Sequence, residues 1–242
     1  MITLSEATID LIETSAKTAK LLDIEEIFID KESVRGMKKE DGFLIVTPRD
    51  NSALEFDEIL INRVSVFLSR FNALETIDEI AATVKNRAAG NNFVTSLDIV
   101  GGRTSLEYKC GDYAQMRDKM PKRVADPTFY RFDIQQDTIK LITKALGAMG
   151  STTITLMNSD KGDVFMKMSS EQGEVLNHLI TDELAMTGEC DKDRFSSTFK
   201  IKPIMALIKE CAKGEFLSVN ITRRGALNLE FNGLNIFVMP ET

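Results

Sequence analysis

Histidine and cysteine are scarce in this chain, with one histidine and three cysteines among 242 residues. The single imidazole, His178, sits in an apolar run with Val175, Leu176, Leu179 and Ile180. That setting reads as a buried or edge-strand residue rather than a metal ligand or general base. Cys110, Cys190 and Cys211 are odd in number and far apart. They make neither a disulfide framework nor a metal cage, and they suit a reducing cytosol. No apolar run approaches the roughly 18 residues of a membrane span. The opening Met-Ile-Thr-Leu-Ser-Glu lacks the basic-then-apolar layout of a signal peptide. Neither glycine-rich phosphate fingerprint occurs, and Gly101-Gly102-Arg103 reads as a hairpin turn. Acid pairs such as Glu25-Glu26 and Asp191 with Asp193 have nothing converging on them in sequence. A metal-dependent nucleic-acid enzyme would need carboxylates that meet only in space. The expectations are therefore no catalytic residue, no metal and no cofactor.

What is present is a globular composition, 43% hydrophobic and 28% charged, enough for a sizeable core in one large or two ordinary domains. The net charge of −7 would repel nucleic acid as a whole, unless the signs are segregated by surface.

The most informative stretch is Phe195 to Pro240. A short helix is expected from Pro203 to Lys213, with Ile204, Leu207, Ile208 and Cys211 on one apolar face. Lys202, Lys209 and Lys213 share the other face. Three strands follow, Glu215–Thr222, Ala226–Phe231 and Leu234–Met239, the last two joined by Asn232-Gly233, a strong hairpin signal.

The same pattern recurs along the chain. Ser5 to Leu22 reads as a helix with Ile9, Ile12, Ala16 and Ala19 inward, followed by strands at Glu25–Asp30, Ser33–Met37 and Phe43–Pro48. A candidate strand at Leu54–Leu60 precedes a helix from Ile61 to Leu74. Residues 75–92 read either as helix then loop or as a strand plus an insertion. Phe93–Val100 and Arg103–Tyr108 form a hairpin. Lys109 to Pro127 is a polar, mostly basic connector carrying Tyr113, Met116 and Met120, with room for one helical turn. Beyond it come a strand at Thr128–Ile134 and a helix from Gln135 to Met149, with Ile139, Ile142, Ala145, Leu146 and Met149 inward and Gly147 and Gly150 ending it. Strands at Thr152–Met157, Asp163–Ser169 and Val175–Thr181 and an acidic loop over 182–194 complete the chain. One helix with about three strands thus appears four times, without sequence identity at a fixed period.

The four expected helices carry net charges of −1, +2, +1 and +2, so the remainder of the chain holds −11. Such separation is either an ordinary solvated set of helix faces or a surface that tolerates phosphates without reading bases. Few aromatics lie among these cations, so stacking on single strands is not indicated.

Four helix-plus-strands units, two on each side of a connector, resemble a DNA sliding clamp of the two-domain bacteriophage or PCNA-like type. The closest likeness is in Phe195 to Ile201, the lysine-bearing helix and the ending Phe237-Val238-Met239-Pro240. Val-Met-Pro at that position is similar to the ending of bacterial beta clamps. The resemblance implies an α+β fold of two similar domains, each of two helix-plus-antiparallel-strand units, with helices on one face of curved, ring-forming sheets. It implies an N-terminal clamp domain over 1–110, an interdomain connector over 111–127 and a C-terminal clamp domain over 128–242. It also implies a non-catalytic processivity factor, a homotrimer encircling double-stranded DNA and tethering a DNA polymerase after loading by a clamp loader ATPase. The DNA-facing residues would be Lys17, Lys20, Arg63, Arg70, Lys140, Lys144, Lys202, Lys209 and Lys213. Partner peptides would meet Tyr113, Met116, Val238, Met239 and Pro240, although Val238 and Met239 also read as core-facing residues of a last strand. No membrane is implied, and the site of action would be cytoplasmic, the host bacterial cytoplasm for a phage protein. The alternatives are an oligomeric scaffold of similar fold without DNA encirclement, or a metal-dependent nucleic-acid enzyme.

Overall fold

The computed structural model describes residues 1–74, 76–86, 90–116, 119–124, 128–159, 163–181, 195–211 and 216–241. The chain forms two compact units, Met1–Lys38 with Ile45–Val124, and Lys39–Leu44 with Ala125–Thr242.

In the first unit, β1 (Ile2–Thr3), α1 (Glu6–Leu21), β2 (Glu26–Asp30), β3 (Ser33–Lys38) and β4 (Phe43–Pro48, with Ile45 onward in this unit) make one repeat. The next contains β5 (Glu58–Asn62), α2 (Val64–Phe71), β6 (Glu79–Asn86), β7 (Asn92–Gly101) and β8 (Thr104–Lys109). In the second unit, β9 (Thr128–Gln135), α3 (Gln136–Met149), β10 (Thr153–Asn158), β11 (Val164–Ser169) and β12 (Val175–Thr181) repeat the order. So do β13 (Ser196–Lys200), α4 (Ile201–Cys211), β14 (Phe216–Thr222), β15 (Leu227–Phe231) and β16 (Leu234–Val238).

The leading strand of each repeat pairs in its neighbour's sheet. β1 pairs antiparallel with β6 while β5 pairs antiparallel with β2. The second unit repeats the exchange, β9 with β14 and β13 with β10. Each unit therefore holds two four-stranded arrays of one order: β4-β3-β2-β5 and β8-β7-β6-β1, then β12-β11-β10-β13 and β16-β15-β14-β9. A parallel pair, Glu58 with Phe93, also stitches the two arrays of the first unit. The helices pack in pairs, α1 on α2 and α3 on α4.

Local chemistry sets the helix ends. The Ser5 hydroxyl caps α1 by accepting from the Thr8 N–H at 3.4 Å. Glu55, from a distant loop, accepts from the Ser5 N–H at 3.0 Å and the Thr8 hydroxyl at 2.7 Å. The buried face of α1 is mostly small: Thr8, Ile12, Ser15, Ala16, Thr18 and Ala19. Ile9, expected inward, is half-buried. α2 is shorter than expected because Asn62 still pairs with Glu26 and Arg63 turns left-handed at φ 56°, ψ 57°. α3 runs through Gly147 and stops only at Gly150, whose φ of 62° is the left-handed stop and whose N–H bonds the Leu146 carbonyl at 3.1 Å. Its Ala145, Leu146 and Met149 are half-buried rather than core. α4 starts at Ile201 rather than Pro203. The Ile201 N–H is taken by the Thr152 carbonyl at 3.0 Å, and Pro203 falls inside the first turn, where no intrahelical N–H is needed.

Of the two readings for 75–92, the strand is correct over 79–86: β6 pairs with β7 from Glu79 opposite Val100 to Asn86 opposite Asn92. The expected loop over 182–194 lies outside the described residues, as do residues 160–162 between β10 and β11. The connector's helical turn is a 3-10 turn at Tyr113–Gln115, capped by Asp112 accepting from the Ala114 N–H at 2.9 Å.

Candidate nucleic-acid and partner surfaces

The paired helices carry most of the expected cations. On α1, Lys17 and Lys20 are exposed near the C-terminal end, with Lys17 Nζ 2.5 Å from Glu13. On α3, Lys140 and Lys144 are exposed one turn apart, with Lys140 Nζ 3.1 Å from Asp137. On α4, Lys209 is exposed; the Lys202 side chain and all of Lys213 lie outside the described residues. Exposed pairs of this kind hold by only ~0.3–0.5 kcal/mol. Lys17 and Lys140 can therefore exchange a carboxylate for a phosphate at little cost.

The two α2 arginines behave differently. Arg63 is exposed at the helix N-terminus in left-handed backbone, without a side-chain cap bond. A cation opposes the helix dipole there, and left-handed backbone at a non-glycine residue costs ~1 kcal/mol or more. Arg70 is half-buried and donates to the Glu107 carbonyl on β8 at 3.0 Å. Its guanidinium braces a strand. Acidity gathers at the other end of α1, where a cleft of about 630 Å³ has Glu6, Glu13, Asp78 and Glu79 around Leu4 and Phe71. That rim repels phosphate, so the cationic part of α1 is its last two turns.

The expected partner residues fall into two groups. In the first unit, Tyr113 and Met116 are half-buried and pack, with Met37, on a core of Phe28, Leu60 and Met120. In the second unit, Val238 is 1% exposed and lies inside the core as the end of β16. Met239 is 42% exposed, its N–H held by the Gly42 carbonyl at 2.8 Å. Pro240 is half-buried, and the next N–H, of Glu241, bonds the Thr198 carbonyl at 2.7 Å. Of these three, Met239 is the one that offers an apolar side chain to solvent.

His178 lies on β12, half-buried, its Nε2 3.4 Å from the Thr138 hydroxyl on α3. Among the described residues no three His, Cys, Asp or Glu side chains gather as a metal site. Burial pushes the Cys110 thiol up to about 12, against a smaller pull from Lys109, so it is a poor nucleophile. No helix among the described residues is long and apolar enough to cross a membrane.

Sequence reasoning missed Arg35. It is 1% exposed on β3, paired with Asp30 at 2.6 Å and bonded to Tyr113 and Met120 of the connector. The only local signal is a cation inside a strand, five residues after an acid.

No family model matches the sequence, and no curated protein matches it. Solved structures do. The chain is similar to A. fulgidus PCNA with the C-terminal region of FEN-1 bound, at 13% identity over 96% of each chain with a TM-score of 0.65. The proliferating cellular nuclear antigen of Entamoeba histolytica is similar at 13% identity over 95% of each chain, TM-score 0.61. PCNA from Thermococcus kodakaraensis is similar at 12% identity over 99% of each chain, TM-score 0.60. Four strand–helix–strand–strand–strand repeats, arranged two to a unit with exchanged leading strands, are in this chain the PCNA-like sliding-clamp fold.

Proposed function

We propose that this chain is a DNA polymerase sliding clamp, a non-catalytic ring that encircles duplex DNA and tethers a polymerase. The observation that carries the reading is the placement of exposed lysines on paired helices of an otherwise acidic chain with the clamp fold. Weak contacts to phosphates, screened by salt, allow sliding, while enclosure supplies the tether. Arg63 adds support, because a residue that costs stability twice over is better explained by what it meets outside the protein.

In this reading the two clamp domains, 1–110 and 128–242, joined by the connector 111–127, close as a homotrimer. Strand edges that are free among the described residues supply the joints. β12 ends its array and exposes Val175 at 50% and Leu179 at 44%, on the face away from α3. β8 ends an array in the first unit. An exposed apolar edge is a hazard for a monomer, and pairing β12 of one copy with β8 of the next removes it for every copy in a ring. A clamp loader ATPase opens the ring, since this sequence has no phosphate loop of its own. Partner segments meet the exposed sides of Tyr113 and Met116 and the Met239 side chain. The two-domain length fits a bacteriophage clamp working in its host's cytoplasm.

The test is native mass spectrometry over a concentration series. A species of three 27.0 kDa chains is expected. A monomer that persists at high concentration would rule out encirclement.

A further inference from the structure

Among the described residues, Arg35 heads the fully buried side chains by size. It stands opposite Phe28 across the β2–β3 pair. Nη2 meets Asp30 Oδ2 at 2.6 Å, and Asp30 is itself held by the Glu32 N–H at 2.9 Å and the Ser33 hydroxyl at 3.0 Å. Nη1 donates to the Tyr113 hydroxyl at 3.3 Å and to the Met120 carbonyl at 3.4 Å. The guanidinium carbon lies 4.5 Å from the Phe28 ring centre and 5.2 Å from that of Tyr113, and the two rings are 4.1 Å apart.

This is an inefficient way to stabilise a hairpin. A buried ion pair rarely outdoes a packed apolar side chain, and Arg35 Nε has no partner among the described residues. An apolar residue, however, could not hold a phenol and a backbone carbonyl at once. The contacts that leave the hairpin all land on the connector, at both ends of the Tyr113–Met120 stretch.

We propose that Arg35 is a positioning residue that pins the connector to β2 and β3, so that the exposed sides of Tyr113 and Met116 form a ready-made surface in the free protein. Only the use of that surface by partners rests on the clamp reading; the pinning does not. In the connector, the Ala114 N–H bonds the Asp112 carboxylate at 2.9 Å, and those of Gln115 and Met116 bond carbonyls at 2.9 and 3.1 Å. The Gly111 N–H is held separately, by the Leu60 carbonyl at 2.9 Å.

Hydrogen exchange on the full chain tests this. In Asp30→Asn with Arg35→Met, which leaves no lone buried charge, the amides of Ala114, Gln115 and Met116 should exchange at least tenfold faster. Gly111 and the amides of β2, β3 and β5 should hold their rates. Arg35→Lys keeps the pair with Asp30 but lacks the fork, and should fall between wild type and the double variant. Unchanged exchange at 114–116 would overturn the proposal. So would uniform acceleration through the whole unit, the mark of a merely structural residue. A monomeric wild-type chain whose connector is still pinned would sink the clamp reading and leave this one standing.

Discussion

Reversing three helix cations, Lys140→Glu, Lys144→Glu and Lys209→Glu, separates a clamp from a scaffold that never meets DNA. All three side chains are exposed, so the core is untouched. The chain goes from −7 to −13. A charge about 10 Å from one phosphate in water is worth ~0.4 kcal/mol, and physiological salt with a screening length of about 8 Å reduces that to ~0.1 kcal/mol. One lysine is therefore negligible. Nine in a trimer sum to ~1 kcal/mol, and reversal changes the sign, a swing of ~2 kcal/mol or roughly thirtyfold. At about 0.01 M salt, where the screening length is near 30 Å, the same estimate gives a swing of ~5 kcal/mol. Native mass spectrometry first checks that the variant keeps the wild-type oligomer. Association with nicked circular DNA is then measured at low and physiological salt. The variant should associate at least a thousandfold less at low salt, and the gap should narrow as salt rises. Equal association at low salt, or a gap that ignores salt, would refute the electrostatic reasoning.

Three further outcomes concern the scaffold that presents those helices. At Glu55, burial alone would raise the carboxyl, but bonds from Ser5 and Thr8 outweigh it and hold the group below its ordinary 4.5. The folded form is the depressed one, so this contribution is complete above 4.5 and fades as pH falls through the folded value. Discounted for exposure, Glu55→Gln should lose ~1 kcal/mol in urea unfolding at pH 7 and converge with wild type in acid; a gap independent of pH counts against the capping role. The Thr18 hydroxyl is buried on α1 without a partner among the described residues. Thr18→Val should stabilise by ~1 kcal/mol in the same assay, and a loss would show a hidden bond. Gly147 lies in α3 with open space around a built Cβ, whereas one on Gly101 would stand 2.1 Å from the Thr76 carbonyl oxygen. Gly147→Ala should gain up to ~1 kcal/mol, and Gly101→Ala should lose more than that; equal melting temperatures would contradict both.

Local chemistry was readable wherever one short segment decides its own shape. Asn232 and Gly233 take φ of 53° and 70°, as a two-residue hairpin turn requires, and the strands on either side pair from Phe231 opposite Leu234. Helices announced by a clean 3.6-residue stripe were found within two or three residues of their ends. β6 was ambiguous because Ile80, Ala81 and Ala82 are buried in succession and break the alternation that marks a strand. On α1 the expected Ile12, Ala16 and Ala19 are buried, but Thr8, Ser15 and Thr18 join them and count as polar in a pattern. Their small size suits them to the helix contact with α2. Arg35 was unreadable for a different reason: its connector partners, Tyr113 and Met120, lie 78 and 85 residues away. No window along the sequence contains that pair.

The exchange of leading strands links the fold to the proposed ring. Were β1 paired within its own repeat, each repeat would be a free-standing sheet with one helix, and nothing would oblige two helices to lie side by side. Because β1 pairs β6 while β5 pairs β2, neither repeat can be withdrawn without breaking the other's sheet. The helix that follows each leading strand is thereby set beside its counterpart, α1 on α2 and, by the same exchange, α3 on α4. In the proposed ring, the exposed lysines of two neighbouring helices would then serve one surface. Glu55 completes this arrangement in the first unit: it lies in the segment just before β5 and holds the N-terminus of α1. The swapped repeats are thus joined through their helix ends as well as their strands. Strand pairing of this kind is set by backbone hydrogen bonds and an apolar interior rather than by particular side chains, and the fold is matched over 99% of the chain at 12% identity.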